Sequence, residues 1–291
     1  MSQLNIFCFG FGQVAKSFIK KIKDEKIKFK FSTTSREESK IKTFEGVSYQ
    51  SFKFNEEKFD NNLLKNLKEA DYILVSIAPI NNKDIVIENF KQELITKNYK
   101  WITYLSATSV YGNHNGEWVD EESETKPTST NGIERLNVEN NWLSLVKEHD
   151  LSLQIFRLSG IYSEQFNILK RLKLGQAKLV KIKNHFFSRI HVEDIANVLF
   201  RSLKNFKKGE IYNISDDLPE SNEKVIEYGL KLLKIKRPDM IEIKDIENEM
   251  LKNFYKDSKK IRNKKMKAFF KLKLKYPTYV EGLNYINNNF I

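Results

Sequence analysis

Apolar residues in the first 162 positions follow two rhythms. Short continuous runs predict strands buried on both faces: LNIFCFG (Leu4–Gly10), ADYILVSIAP (Ala70–Pro79), KWITYLSA (Lys100–Ala107) and LSLQIFRLSGIY (Leu151–Tyr162). IKFKFSTTS (Ile27–Ser35) alternates apolar and polar residues, as a strand with one solvated face does. Between these runs, apolar residues recur at helical intervals over Gln13–Ile22, Asp84–Lys97 and Gly132–His149. The last of these puts Leu136, Val138, Trp142, Leu145 and Val146 on its apolar side. Buried strands alternating with helices imply a parallel sheet covered on both faces. Right-handed crossovers then make it doubly wound.

After Tyr162 the rhythm loosens. KLVKIKN (Lys178–Asn184) is a candidate strand, His191–Leu203 a helix and Glu210–Asp217 another strand. Segments 221–233 and 256–270 read as helices, with Met240–Ile246 a short extended piece between them. No internal repeat or low-complexity linker interrupts the chain. The expectation is an α/β fold, a doubly wound parallel sheet of Rossmann type with a small C-terminal substrate lobe. Residues 1–162 form the dinucleotide-binding domain. Residues 163–291 are a mixed region that completes the sheet and forms the lobe.

Composition narrows the class. The chain has 291 residues, 40% hydrophobic and 30% charged, which suits one large or two coupled globular domains. No apolar run approaches the roughly 20 residues that span a bilayer. The N-terminus lacks the basic and small-residue marks of a signal peptide. The lone cysteine, Cys8, falls inside a predicted core strand, so a disulfide framework is not expected and a reducing cytoplasm is. The net charge of +12 raises the question of nucleic acid. The basic residues are mostly Lys scattered among acids, and the densest run, Lys256–Pro277, keeps apolar residues at helical spacing. A solvated helix face is favoured there over a polyanion site, and neither nucleic acid nor membrane is expected as a partner.

The chemistry begins at FCFGFGQVAKSF. Gly10, Gly12 and Ala15 form a G-x-G-x-x-A pattern after a predicted strand and at the start of a predicted helix. The first glycine permits the tight turn, the second lets the backbone approach a pyrophosphate, and Ala15 allows close helix–strand packing. Amides of the helix start, at Gln13 and Val14, supply donors. Most NAD-preferring sites carry an acid at the end of the second strand; here Thr33, Thr34, Ser35 and Arg36 stand instead. Hydroxyls and a guanidinium suit a 2′-phosphate, so NADP is the preferred cofactor and NAD the alternative. Ser76, Ala78 and Pro79 end the strand expected beside the adenosine half.

The segment YLSATSVYGNHNGEWVDEESETKPTSTNG, with IFRLSGIY, FSRIHVEDIANVL, IYNISDD and the C-terminal DSKKIRNKKM…LKYPTYVEGL, resembles the extended short-chain dehydrogenases/reductases. Within that group it is most similar to the atypical nucleoside-diphosphate-sugar epimerase/dehydratase-like proteins. The resemblance covers nearly the whole chain and implies a dinucleotide-binding domain with a small substrate lobe. It also implies a Ser or Thr after the fifth strand and a Tyr-x-x-x-Lys pair in the next helix, which move a proton while the cofactor moves a hydride.

Counted from Val110-Tyr111-Gly112, the hydroxyl position falls on Ala107, flanked by Ser106 and Thr108. The Tyr position falls on Asn131 and the Lys position on Arg135. Asn does not titrate usefully, and Arg stays protonated; Arg135 can anchor a ribose but is a poor proton relay. Thr108, Asn131, Arg135, His114 and Tyr162 are therefore the candidate catalytic residues, with Arg135 also a cofactor contact. Tyr111, Arg157, Arg189 and His191 are the candidate substrate contacts; for His191 a packing role is the stronger reading. Ser163-Glu164-Gln165 replaces the Gly-Pro-Gly that the resemblance implies after Tyr162. The four His and one Cys show no metal-ligand spacing.

Two readings stay open, with a third behind them. One is an NAD(P)-dependent epimerase, dehydratase or reductase acting, as monomer or homodimer, on a nucleotide sugar or small polyol-like substrate. The other is a non-catalytic, dinucleotide-sensing regulatory or protein-binding module. A third would use the basic C-terminal region to hold a polyanion.

Overall fold

Through the first half of the chain, strands and helices alternate where the hydrophobic pattern places them. The structure, a computed structural model, describes residues 3–247, 252 and 255–291. It begins with β1 (Leu4–Phe9), α1 (Gln13–Asp24), β2 (Phe29–Ser35), β3 (Lys40–Phe44), β4 (Val47–Lys53), α2 (Asn62–Glu69), β5 (Tyr72–Val75), α3 (Ile85–Thr96) and β6 (Trp101–Ala107). A 3-10 turn (Thr108–Tyr111) leads to β7 (Trp118–Val119), α4 (Thr130–His149), β8 (Leu153–Leu158) and β9 (Gly160–Tyr162). Then come α5 (Ile168–Lys173), β10 (Leu179–Val180), β11 (Arg189–His191), α6 (Val192–Ser202), β12 (Ile211–Ile214), α7 (Asn222–Leu233) and β13 (Met240–Ile241). The chain closes with β14 (Lys260–Ile261), α8 (Lys264–Phe270) and α9 (Tyr279–Phe290).

The chain divides into two units. Met1–Ala107, Ile133–Arg157 and Ile195–Tyr212 form the first; Thr108–Gly132, Leu158–Asp194 and Asn213–Ile291 form the second. Most of an eight-stranded sheet, in the order β12-β8-β6-β5-β1-β2-β4-β3, lies in the first unit. β1 pairs in parallel with β2 on one side and β5 on the other, so the strand order reverses at β1. Pairs β2–β4 and β5–β6 are also parallel, while β3 runs antiparallel to β4. This is the doubly wound, mostly parallel α/β arrangement that the sequence predicts.

Local sequence explains the elements. α1 buries Val14, Ala15, Phe18, Ile19 and Ile22, the three-and-four spacing of one helical stripe. Phe18 stacks on Trp101 of β6 with ring centroids 5.9 Å apart. α3 starts where the Asp84 side chain accepts from the amides of Val86 (2.7 Å) and Ile87 (3.2 Å). Its other carboxyl oxygen accepts from the Trp142 indole at 2.9 Å, which ties α3 to α4. Burial pushes the Asp84 carboxyl above the usual range, against the pull of Trp142. Phe7, Phe9, Phe52, Ile73, Phe90 and Trp142 belong to one buried cluster. Each such side chain contributes roughly 1.5–3 kcal/mol of burial.

Four expectations are corrected. Between Ser35 and Ala70 the hydrophobic pattern assigns nothing, yet the structure has β3, β4 and α2. β3 is an edge strand, largely exposed, so it carries no continuous apolar run. The single strand read over Leu151–Tyr162 is two: the Ser159 amide still donates to Ile214, but the Gly160 amide turns to Ser188, and β9 pairs with β11. The helix read from His191 starts one residue later, because His191 ends β11. The helix read over 256–270 is confined to α8; Lys260 and Arg262 instead donate their amides to Glu117 and Val119, pairing β14 with β7. Long-range pairing there overrides helical spacing.

In the second unit Tyr162, Leu169, Val225, Tyr279, Leu283 and Ile286 form a buried cluster. No helix among the described residues is long and apolar enough to cross a membrane.

Candidate functional site

The glycine turn sits where the strand order reverses, at the carboxyl end of β1, the usual ligand position in such sheets. Gly10 has φ +84°, and a Cβ there would stand 2.9 Å from Ser76 Oγ and 3.3 Å from an Ile77 side-chain carbon. Only glycine meets both conditions. The Gly10 amide donates to Thr34 Oγ1 at 2.8 Å, and Ser76 Oγ donates to the Phe9 carbonyl at 3.0 Å. The turn is thereby fixed to β2 and to β5. Gly12, at the start of α1, has ordinary extended geometry, and nothing lies within 4 Å of where its Cβ would be. Open space stands beside Gly12, the residue that precedes α1.

That space is a cavity of about 610 Å³. Of the expected cofactor residues, Gly10, Gly12, Thr34, Ser35, Arg36 and Ala78 line it. Gln13 and Val14 occupy the first turn of α1, and the Val14 side chain is buried in the core. Ser76 stands behind Gly10, and Pro79 is not among the lining residues. The Thr33 hydroxyl, also on the wall, is buried with no hydrogen-bond partner. No carboxylate ends β2; Ser35 does, and its hydroxyl accepts from Ser51 at 3.2 Å.

Arg36 is exposed and makes no hydrogen bond or ion pair among the described residues. Lys42, from β3, reaches the same cavity and holds Glu37 at 2.8 Å. Lys42 first, then Lys40, keep the Glu37 carboxyl below the usual range. Lys16, Lys42, Tyr49 and Ser51 also line the wall and were not expected. Lys16 carried a signal, one helical turn beyond Gly12; the other three come from the hairpin that the hydrophobic pattern does not show. The donor set suits a dinucleotide: free volume at a helix start, an orphaned hydroxyl, and cations beyond the second strand.

The remaining expected residues fall into separate settings. In the first unit, Arg135 Nη1 donates to the Leu105 carbonyl at 2.9 Å, near the end of β6. Arg157 is buried against Glu139, with Nη2 2.7 Å from Oε2. Its guanidinium is committed to an internal ion pair, and the geometry does not support the expected anion-anchor role.

In the second unit, Thr108 opens the 3-10 turn, and the buried Tyr111 hydroxyl donates to Asn213 Oδ1 at 2.8 Å. His114 Nε2 lies 3.1 Å from the Tyr111 carbonyl and 3.2 Å from that of Glu124. Two acceptors assign the hydrogen to Nε2, so the ring clasps its own loop. Asn131 is exposed in the first turn of α4. The Tyr162 hydroxyl points to the Thr278 carbonyl at 3.4 Å, and burial raises its pKa. Arg189 Nη1 donates to the Phe187 and Glu220 carbonyls, both at 3.0 Å. His191 is fully buried; its Nδ1 accepts from the Glu193 amide at 3.3 Å, and its ring packs on Tyr162 and Tyr276. Desolvation lowers its pKa to about 4, with Glu193 opposing. The packing reading of His191 is the one the geometry supports. Glu121, which the sequence reading passed over, accepts from the Asn213 amide at 2.7 Å, and burial raises its pKa.

The sequence profile of the NAD dependent epimerase/dehydratase family matches residues 60–215. No curated protein matches the chain in sequence. Among solved structures, the chain is similar to a functionally unknown conserved protein from Silicibacter pomeroyi DSS, at 28% identity over 99% of both chains with a TM-score of 0.86. It is similar in fold to dTDP-glucose 4,6-dehydratase from Bacillus anthracis str. Ames in complex with NAD, at 19% identity over 98% of this chain and 96% of that one, TM-score 0.76. A further fold match is UDP-glucuronic acid 4-epimerase from Bacillus cereus in complex with NAD, at 13% identity over 98% and 96%, TM-score 0.78.

Proposed function

Because the chain belongs to the NAD dependent epimerase/dehydratase family, we propose that the cavity beside Gly10 and Gly12 holds a nicotinamide dinucleotide, with NADP(H) preferred. The observation that carries this is the open space beside Gly12, walled by an unpartnered Thr33 hydroxyl and by Arg36, which has no pairing acid among the described residues. The α1 amides and Gly12 face the pyrophosphate. Arg36, Ser35 and Lys42 meet the 2′-phosphate, and Ile77 and Ala78 border the adenosine. The bound nicotinamide supplies a reversible hydride acceptor. Arg135, held to the Leu105 carbonyl, orients a ribose rather than relaying a proton. The substrate class is a nucleotide sugar or related polyol, as in the dehydratase and epimerase of similar fold.

A second reading is a dinucleotide sensor without turnover. It is favoured by Ala107 and the non-titrating Asn131 at the positions where the family resemblance implies a hydroxyl and a phenol. Calorimetric titration with NADPH, NADH and their oxidised forms tests the binding reading, and NADPH is expected to bind more tightly than NADH. Binding of none of the four overturns it. Absorbance of the reduced nicotinamide during incubation with nucleotide sugars then separates enzyme from sensor.

A further inference from the structure

A second cavity, of about 470 Å³, lies wholly within the second unit. Its walls carry an unusual mix of satisfied and unsatisfied groups. Asp217 is spent: both its oxygens take Lys267 Nζ at 2.9 Å, and Oδ1 also accepts from Asn263 at 2.7 Å. Asn263 in turn bonds the Ser215 and Asp216 carbonyls at 2.8 and 3.1 Å, which fixes that wall.

On the same walls one carboxyl oxygen and two cationic side chains remain without a polar partner among the described residues. Asp216 is 1% exposed; its Oδ1 accepts from the Leu218 amide at 3.2 Å, but its Oδ2 is buried with no partner. Arg262 lies over the Trp118 ring, 5.1 Å from the centroid, with no carboxylate among the described residues pairing with it. Lys264 is exposed and equally without an acid.

We propose that this cavity binds a hydroxylated small anion of monosaccharide size, its carboxylate or phosphate on Arg262 and Lys264 and a hydroxyl on Asp216 Oδ2. An orphaned carboxyl oxygen on a residue that lines a cavity is a stored cost that a ligand group can relieve. A hydroxyl serves whichever state the acid adopts, accepting from the protonated form or donating to the ionised one. Burial raises the Asp216 pKa well above the usual range, against the attraction of Arg189. The two cations supply the complement for an anionic group, and no acid among the described residues competes for them. The proposal does not depend on the dinucleotide reading, because every group it uses belongs to the second unit.

Trp118 gives the readout. It is 41% exposed, whereas Trp101 and Trp142 are 1% and 0% exposed, so a ligand-induced change in indole fluorescence reports Trp118. The full chain, without dinucleotide, is titrated with galacturonate and glucose 6-phosphate, and with galactose, glucose and acetate as probes lacking the charge or the hydroxyls. A saturable change with galacturonate or glucose 6-phosphate is expected, at least about tenfold tighter than with any of the three controls. The surface double variant Arg262→Ala/Lys264→Ala, checked for native circular dichroism, is expected to weaken it by at least about tenfold. The proposal is overturned if neither hydroxylated anion gives a saturable change, if a control binds as tightly, or if the double variant binds unchanged. Loss of NADPH binding with this response intact would overturn the dinucleotide reading alone.

Discussion

Arg157 and Glu139 meet side-on in the core of the first unit: Nε lies 3.1 Å from each carboxylate oxygen and Nη2 2.7 Å from Oε2. Their side chains are 5% and 1% exposed. Breaking such a pair from one side leaves a buried charge uncompensated, at a cost of about 3–5 kcal/mol. Glu139→Ala is expected to lose that much in urea denaturation. The apolar double variant Glu139→Leu/Arg157→Met is expected to recover most of it. A single variant within about 1 kcal/mol of the parent would refute this account.

Gly12 and Gly112 are predicted to fail in opposite ways. At Gly112, φ is +66° and a Cβ would stand 1.9 Å from the Lys126 carbonyl oxygen. Gly112→Ala is expected to cost at least about 2 kcal/mol, because the clash is with backbone. At Gly12 the added carbon meets nothing, so Gly12→Val should shift the thermal midpoint by less than about 2 °C. It should nevertheless abolish NADPH binding, since its side chain fills the space proposed for the pyrophosphate. A Gly12→Val protein that binds NADPH normally would remove the pyrophosphate from that place.

On the proposed cofactor preference, Arg36→Ala and Lys42→Ala each weaken NADPH by about tenfold and leave NADH within about twofold. The NADPH–NADH difference should also shrink as salt rises, because both cations are near the surface. Equal losses for the two cofactors would mean that neither residue reads the 2′-phosphate.

Acid destabilisation should pass through His191. The unfolded chain takes up this proton near the ordinary value of 6.5, the folded chain only near 4. The unfolded state therefore binds more protons between those values. The contribution is present above about 6.5 and is lost as pH falls toward 4. Between pH 7 and pH 5 it amounts to about 2 kcal/mol. Desolvation shifts the buried His185 in the same direction. Denaturant unfolding of the parent and of His191→Phe at both pH values checks this; identical pH slopes would show that His191 does not titrate as described.

What the sequence disclosed was what is local. β1, the Gly10 turn and α1 are contiguous, so a strand, its turn residue and a helical stripe appear together in the hydrophobic pattern. Lys42 and Ser51 were invisible because they reach the cavity from an edge hairpin whose strand β3 is mostly solvated. Arg157 and His191 were visible as chemistry but not as context. A buried cation looks the same in sequence whether its partner is a ligand or, as here, a glutamate one helix earlier. The register of β14 depends on Trp118 and Val119, more than 140 residues away, and no local spacing could announce it.

The hydrogen bond from the Gly10 amide to Thr34 Oγ1 has an evolutionary consequence. It pins the glycine turn to the end of the second strand from inside, so the turn does not depend on the residues that follow Thr34. The turn itself therefore places no constraint on the exposed positions 36 to 38. On the proposed reading, a lineage carrying this fold can exchange one coenzyme for another by rewriting a few exposed residues, while the turn proposed to hold what both coenzymes share stays untouched.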